Sequence, residues 1–249
     1  MFRMMRLKPP HGWSSVAWEL AIVTLGVLIA LAAQQWAEDR SSRARTAASK
    51  EAIRDELAEH YRYAVEWRTT YPCIQAQLAR LRARLRDSGA TLDPAPMHKE
   101  PGFDYVLRIP SKEYRTTAWQ SAISDGVTPR LDPTVRRDLG AHYAQILLVT
   151  DMSWLNNQGE QTLVTMAEPL PLDPSVRFAL LKEIETLGGR AEFMDVIVGQ
   201  MIGHIQKVDM VPPAAEARAL TRRFGTYRFC RAQRLPLRSF EEAMTAVPD

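Results

Sequence analysis

The chain reads as an all-α protein: a single N-terminal transmembrane helix continues into a long stem helix, packed with about five further helices in a bundle. Three observations predict this. Residues 16–36 (VAWELAIVTLGVLIALAAQQW) are apolar, and about 21 helical residues at ~1.5 Å each cover about 31 Å, close to the hydrocarbon thickness of a bilayer. From Ile53 to Leu85, apolar or aromatic residues stand at 53, 57, 61, 64, 67, 71, 74, 78, 81 and 85, always three or four apart, which is the period of an amphipathic helix. Asp132-Pro133 and Asp173-Pro174 then each give a helix start, with Asp as N-cap and Pro in the first turn.

In chain order, residues 1–15 form a short basic tail with Arg3, Arg6 and Lys8 and no acidic residue. In the span 16–36, the stretch Leu20 to Ala33 has no charge, and Trp13, Trp18 and Trp36 stand where interfacial aromatics anchor a membrane helix. Glu19 sits at one end, within reach of headgroups. Gly26 and Ala30 make a small-xxx-small pair that would let two such helices approach closely, so homo-oligomerisation is compatible with the span. Cations on both flanks (Arg40, Arg43 and Arg45 follow Glu38 and Asp39) make the charge bias modest, yet the purely basic tail favours an N-terminus in the cytoplasm. The expected address is therefore the inner (cytoplasmic) membrane, with 1–15 cytoplasmic and 37–249 a periplasmic helical domain. A cleaved signal peptide is the alternative, with Leu20–Ala33 as its apolar region and Ala30-Leu31-Ala32 as an A-x-A site.

The string Glu19 to Asp39, ELAIVTLGVLIALAAQQWAED, resembles the opening of a broad uncharacterised family of bacterial single-pass membrane proteins. Their start runs E-hydrophobic-x-G-[IV]-L-I-A-L-x-x-x-x-W-x-E, ahead of a helix-rich domain of unknown function. Glu19, Gly26, Val27, Leu28, Ile29, Ala30, Leu31, Trp36 and Glu38 carry the resemblance, while Gln34 and Gln35 stand where that pattern often has Asn. Further on, only Trp119, Ala122 and Gly126 fit it. The resemblance implies an address and a fold class, and no activity.

Past the span, Pro72 should kink or divide the stem helix, and Asp87-Ser88-Gly89 should end it. Residues 88–110, with Pro94, Pro96, Pro101 and Pro110, read as a Pro-rich loop holding at most one short strand at Phe103–Ile109. Helices are expected from about Ser111 to Asp125, stopped by Gly126, from Pro133 towards Glu168, and from Pro174 to Gly188-Gly189. Others follow over 191–208 and 213–230, with a short one within 237–246.

The two cysteines, Cys73 and Cys230, are disulfide candidates in an oxidising compartment and would close a loop of about 157 residues. Net charge is +3, mildly basic, which argues against a nucleic-acid partner. Arg80, Arg82, Arg84 and Arg86, and the arginines 218 to 234, read as solvated helix faces around Leu78, Leu81 and Leu85 and around Leu220, Phe224 and Phe229.

No nucleophile elbow, phosphate loop or metal-ligand spacing occurs, so no catalytic, metal or cofactor residue is assigned. His60, His142 and His204 fall on three different helices and would meet only if the bundle brought them together; Glu56 and His60 are neighbours on one helix face. Trp119 and Trp154 read as core aromatics. The function expected is a membrane-anchored envelope protein that binds or scaffolds a protein partner without catalysis. An envelope enzyme with an unrecognised site, and a lipid- or small-ligand-binding helical domain, are the alternatives. Membrane lipid contacts residues 16–36 in every case except cleavage.

Overall fold

The computed structural model describes residues 13–100 and 102–248, with side chains from Val16 onward. The cationic tail with Arg3, Arg6 and Lys8, and the side chain of Trp13, lie outside the described residues. The elements in order are α1 (Trp13–Asp87), β1 (His98–Glu100), β2 (Phe103–Tyr105), α2 (Thr117–Ser124), α3 (Pro133–Leu163), α4 (Pro174–Lys207), α5 (Ala214–Thr221), α6 (Gly225–Ala232) and α7 (Phe240–Ala243). The all-helical bundle expected from the sequence is what forms. The chain divides into two units, Met1–Lys50 and Glu51–Asp249.

In the first unit, every described side chain from Val16 to Arg40 is exposed. These include Trp18, Leu20, Ile29 and Trp36, apolar groups that water penalises unless something covers them. Among the described residues this is the one helix long and apolar enough to cross a membrane; its most apolar window has a mean hydropathy of 2.2 and nothing buried.

In the second unit, α1 supplies Ile53, Leu57, Tyr61, Ala64, Val65, Trp67, Ile74, Leu78, Leu81 and Leu85 to a continuous core. Leu139, Ile146, Val149 and Leu163 of α3 meet them, as do Ile184, Leu187, Met194, Val198, Met201 and Ile202 of α4. Each large aliphatic side chain buried this way contributes ~1.5–3 kcal/mol.

α3 and α4 run antiparallel. Gln145 Nε2 donates to Gln200 Oε1 at 3.1 Å, and Arg190 Nη1 donates to the Leu155 carbonyl at 3.0 Å. Asp132 caps α3 by accepting from the amide of Thr134 (2.8 Å), and Asp173 caps α4 by accepting from Ser175 (2.8 Å) and Val176 (2.9 Å). Those amide bonds and the Ser175 hydroxyl hold the Asp173 carboxyl below its ordinary range.

Pro72 does not divide α1, which runs on to Asp87. A proline ring removes one ladder donor and crowds the carbonyls one turn back. The carbonyl that loses its ladder donor is that of Arg68, and the next one, Thr69, takes the Arg238 amide of the C-terminal segment at 3.0 Å. The Arg68 side chain also donates to the Thr245 carbonyl.

Gly188-Gly189 does not close a helix either, and α4 continues to Lys207. A Cβ at Gly189 would meet nothing within 4 Å, and neither glycine has a positive φ, so the pair sits as ordinary helix held by packing on both sides. The expected 213–230 helix is two, because Phe224 turns extended to pack on Tyr63 (5.9 Å between ring centroids). The helix expected from Ser111 begins only at Thr117. Residues 111–116 instead lie along α1, with Tyr114 buried and Lys112 Nζ 4.2 Å over the Phe224 ring. Gly126 stops α2 as expected, with φ +65°.

The Pro-rich loop holds a hairpin rather than one strand: β1 pairs antiparallel with β2, His98 opposite Tyr105. The loop is also tied down, with Leu92 N donating to Leu170 O (2.7 Å) and Ala95 N to Met166 O (2.8 Å). Arg177 caps the end of α1 by donating to the carbonyls of Leu85, Ser88 (3.1 Å) and Gly89 (2.8 Å).

Candidate functional site

Two places in the second unit concentrate chemistry-bearing side chains. The first is a polar cluster sealed in the core. His60 on α1 and His142 on α3, 0% and 1% exposed, meet directly, with Nδ1 of His60 3.0 Å from Nε2 of His142. Their rings stack at 5.3 Å.

Glu56, one turn before His60, does not pair with it as the i, i+4 spacing suggests. Its Oε1 accepts from the Tyr143 hydroxyl at 2.6 Å and its Oε2 from the Ala118 amide at 3.0 Å, which ties α2 and α3 to α1. Tyr114 packs 5.4 Å from the His60 ring, and Trp119 stacks on Tyr143 at 5.1 Å. Arg115 pairs with Glu59. His204 of α4 joins from the far side, its Nδ1 3.7 Å from Asp138 Oδ1. The three histidines named from sequence are thus brought into one neighbourhood, two of them in contact.

Burial holds His60 well down, to about 4, opposed by the backbone at Arg115 and by the Glu59 charge. His142 lies well below its ordinary value through burial first and the neighbouring imidazoles second. Burial, then the Glu56 contact, pushes the Tyr143 phenol up. Among the described residues no group of three or more His, Cys, Asp or Glu is arranged to hold a metal ion.

The second place is an open cleft of about 270 Å³ between the hairpin and α3, lined by Phe103, Tyr105, Arg108, Ser111, Asn157 and Glu160 among others. Arg108 lies over the Phe103 and Tyr105 rings (4.8 and 5.1 Å), and its Nη2 pairs with Glu100 Oε2 at 3.1 Å. Glu160 Oε1 accepts from the Ile109 amide at 2.9 Å, and burial raises its carboxyl to about 8. At neutral pH that carboxyl is mostly protonated and can donate. Burial and the Glu100 contact raise the Tyr105 phenol to about 12. Neither Arg108 nor Glu160 stands in a recognisable motif. A lone Glu on a helix and a lone Arg in a Pro-rich loop carry no spacing signal.

Comparison with protein-family models, with curated proteins and with solved structures finds no match. The site is therefore read from its own geometry.

Trp18 and Trp36 are 69% and 66% exposed, and Gly26 has open space where a Cβ would stand. Cys73 and Cys230 are joined in a disulfide with Cα atoms 6.0 Å apart, both sulfurs buried beside Leu235 and Leu237. In the arginine run, Arg80 and Arg86 are exposed and Arg82 and Arg84 half-buried; Arg82 pairs with Glu185 of α4 (2.5 Å), Arg84 with Asp93 (2.5 Å) and Arg86 with Asp87 (3.0 Å). Leu78, Leu81 and Leu85 between them are buried.

Trp154 is the aromatic that departs from expectation. It is 61% exposed, not core. The α3–α4 register, with 145 opposite 200 and 155 opposite 190, sets residues 147–154 level with 191–198. Leu147 and Trp154, seven residues apart, are exposed on one face of α3, and Leu148 of α3 and Phe193 and Val196 of α4 are exposed as well.

Proposed function

We propose that this chain is a single-pass protein of the inner membrane, anchored by residues 16–36, with residues 37–249 in the periplasm as a helical domain that binds or scaffolds a protein partner without catalysis. The observation that carries it is the run Leu20–Ala33, apolar and exposed throughout, which a bilayer would cover. Support for the oxidising side comes from Cys73 and Cys230, the only cysteines, which lie within bonding range. Support for a partner comes from Leu147 and Trp154, large apolar side chains exposed seven residues apart on one face of α3, since exposed apolar groups with an aromatic among them mark contact surfaces.

Alkaline extraction of membranes tests the anchor. The full chain stays with the lipid, and a variant lacking 16–36 is released; release of the full chain would overturn the reading. Leu147→Asp with Trp154→Asp tests the partner face. It should abolish co-purification of the partner from detergent-solubilised membranes, while the fold, read by circular dichroism, is kept.

The cleft favours a second reading, a small-ligand-binding domain. Glu160 as a neutral donor, Asn157 and Ser111 as amide and hydroxyl, and the half-exposed Phe103 ring suit an uncharged polar ligand, the Arg108 charge being taken up by Glu100.

A further inference from the structure

Two fully buried imidazoles in direct contact are tolerated while both are neutral and penalised once they are charged. A bonded pair of neutral rings has one N–H in the shared bond, and each neutral ring can take up one further proton. If both take it up, two cations face each other at 3.0 Å with no water between them. We propose that the His60–His142 pair is an acid-released latch, holding residues 111–131 and α3 on α1 while both rings are neutral and letting them part when the rings protonate.

The surroundings decide how firm the latch is. From α1, Glu56 and Glu59 face the pair. Glu56 is occupied by Tyr143 and Ala118, and Glu59 by Arg115 and the Tyr63 hydroxyl. From the 111–116 segment come Tyr114, uncharged, and Arg115, whose charge opposes that of Glu59. From α3 come Asp138 and Tyr143; Asp138 lies 3.7 Å from His204 of α4 and 3.5 Å from Arg137. None of these carboxylates bonds to either ring, so no anion stands ready to neutralise a doubly charged pair.

What the latch holds is specific. The Ala118 amide on Glu56, the Tyr114 ring on His60 and Trp119 on Tyr143 all fasten the 111–131 segment over this point. Leu139 and Ile146 flank His142 one turn to either side and are buried, so parting exposes an apolar strip of α3 to a partner. Acidification thereby becomes a signal to the domain.

The size of the response follows from linkage. A ring whose pKa is about 4 when folded and 6.5 when open gives an opening constant that rises ~30-fold between pH 7.5 and pH 5. The His142 ring, also held below its ordinary value by burial, adds to the rise in the same direction. Global stability hides this, because Glu66 and Glu160, raised to about 7 and about 8, gain stability over the same pH range. The response must be read locally.

The experiment is amide exchange of the full chain in detergent micelles at pH 7.5 and 5.0, corrected for intrinsic rates, on wild type and His60→Gln/His142→Gln. Protection of residues 114–124 should fall at least 30-fold in wild type and less than threefold in the double variant. Equal falls in both would overturn the latch. Should the double variant fail to fold, His60→Gln and His142→Gln alone decide: each should show a smaller fall than wild type, and falls equal to that of wild type overturn the latch.

Discussion

Removing the Cys73–Cys230 bond should destabilise the second unit more than any other single change outside the core. The bond closes a separation of 157 residues. The chain-entropy treatment gives about 5 kcal/mol at 25 °C for a loop of that length, an upper figure because structure left in the unfolded chain lowers it, so ~3–5 kcal/mol is the working range. Ala is the cleaner replacement, since both sulfurs are fully buried and a Ser hydroxyl would lack a partner there.

The site also explains what else moves. The bond enters α1 directly after Pro72, beside the Thr69 carbonyl that takes the Arg238 amide. Arg238 holds Asp195 of α4 with two bonds, 2.7 and 2.9 Å. The C-terminal segment is thus clasped to α1 and α4 by the disulfide, the Thr69 and Asp195 bonds of Arg238 and the Arg68 bond to Thr245. Urea unfolding of the full chain in micelles, followed by tryptophan fluorescence, is the assay. Cys73→Ala, Cys230→Ala and the double variant should lose similar amounts, and reduced wild type should match them. A loss below 1 kcal/mol in all three, or a double variant that loses the sum of the singles, would refute the reasoning.

Gly159→Ala should cost ~1–3 kcal/mol by denaturant titration, because its Cβ would stand 2.5 Å from Glu183 Oε1 and 2.7 Å from Leu187 Cδ2 between α3 and α4. Gly189→Ala should do the opposite, stabilising by ~0.5–1 kcal/mol in the same titration, since the helix continues through it into open space. Glu56→Ala should cost ~2–4 kcal/mol, because it leaves the buried Tyr143 hydroxyl and the Ala118 amide unpaired; protection of the Ala118 amide in exchange measurements should fall with it. Glu66 and Glu160 have folded values raised above the ordinary 4.5, so the stability they contribute is complete below pH 4.5 and lost as pH rises through about 7 and about 8. Glu66→Gln should therefore raise stability by ~1–3 kcal/mol at pH 8 and leave it nearly unchanged at pH 4.5, read from denaturation midpoints at the two pH values.

Periodicity carried most of the fold. The apolar steps from Ile53 to Leu85 name the buried face of α1 almost residue by residue, because one helix face meeting one core leaves a 3.6-residue pattern. Asp132 and Asp173 were legible because a cap and a first-turn proline are local devices. The misreadings at Pro72 and Gly188-Gly189 share a cause. Tertiary packing overrules local breakers: the core contacts of Trp67 and Ile74 and the Arg238 bond beside the ring in the first case, the flanking core contacts of Leu187 and Ala191 in the second. Tyr114 and Phe224 left the helices expected of them because each ring gains more by packing on α1 than by extending a helix. The histidine pair was half legible. The sequence places His60 and His142 on separate helices, but only the docking of α3 on α1 brings them to 3.0 Å. Glu160 and Arg108 were not legible, since nothing in a single chain marks two residues that meet across a hairpin and a helix.

The measurement that bears most directly on the anchored, exported reading is a pair of reporters fused after Asp249, one active only outside the cytoplasm and one fluorescent only inside it. The account predicts that the outside reporter is active and membrane-bound, while the inside reporter is dark. A bright inside reporter with a silent outside one would place residues 37–249 in the cytoplasm and contradict it.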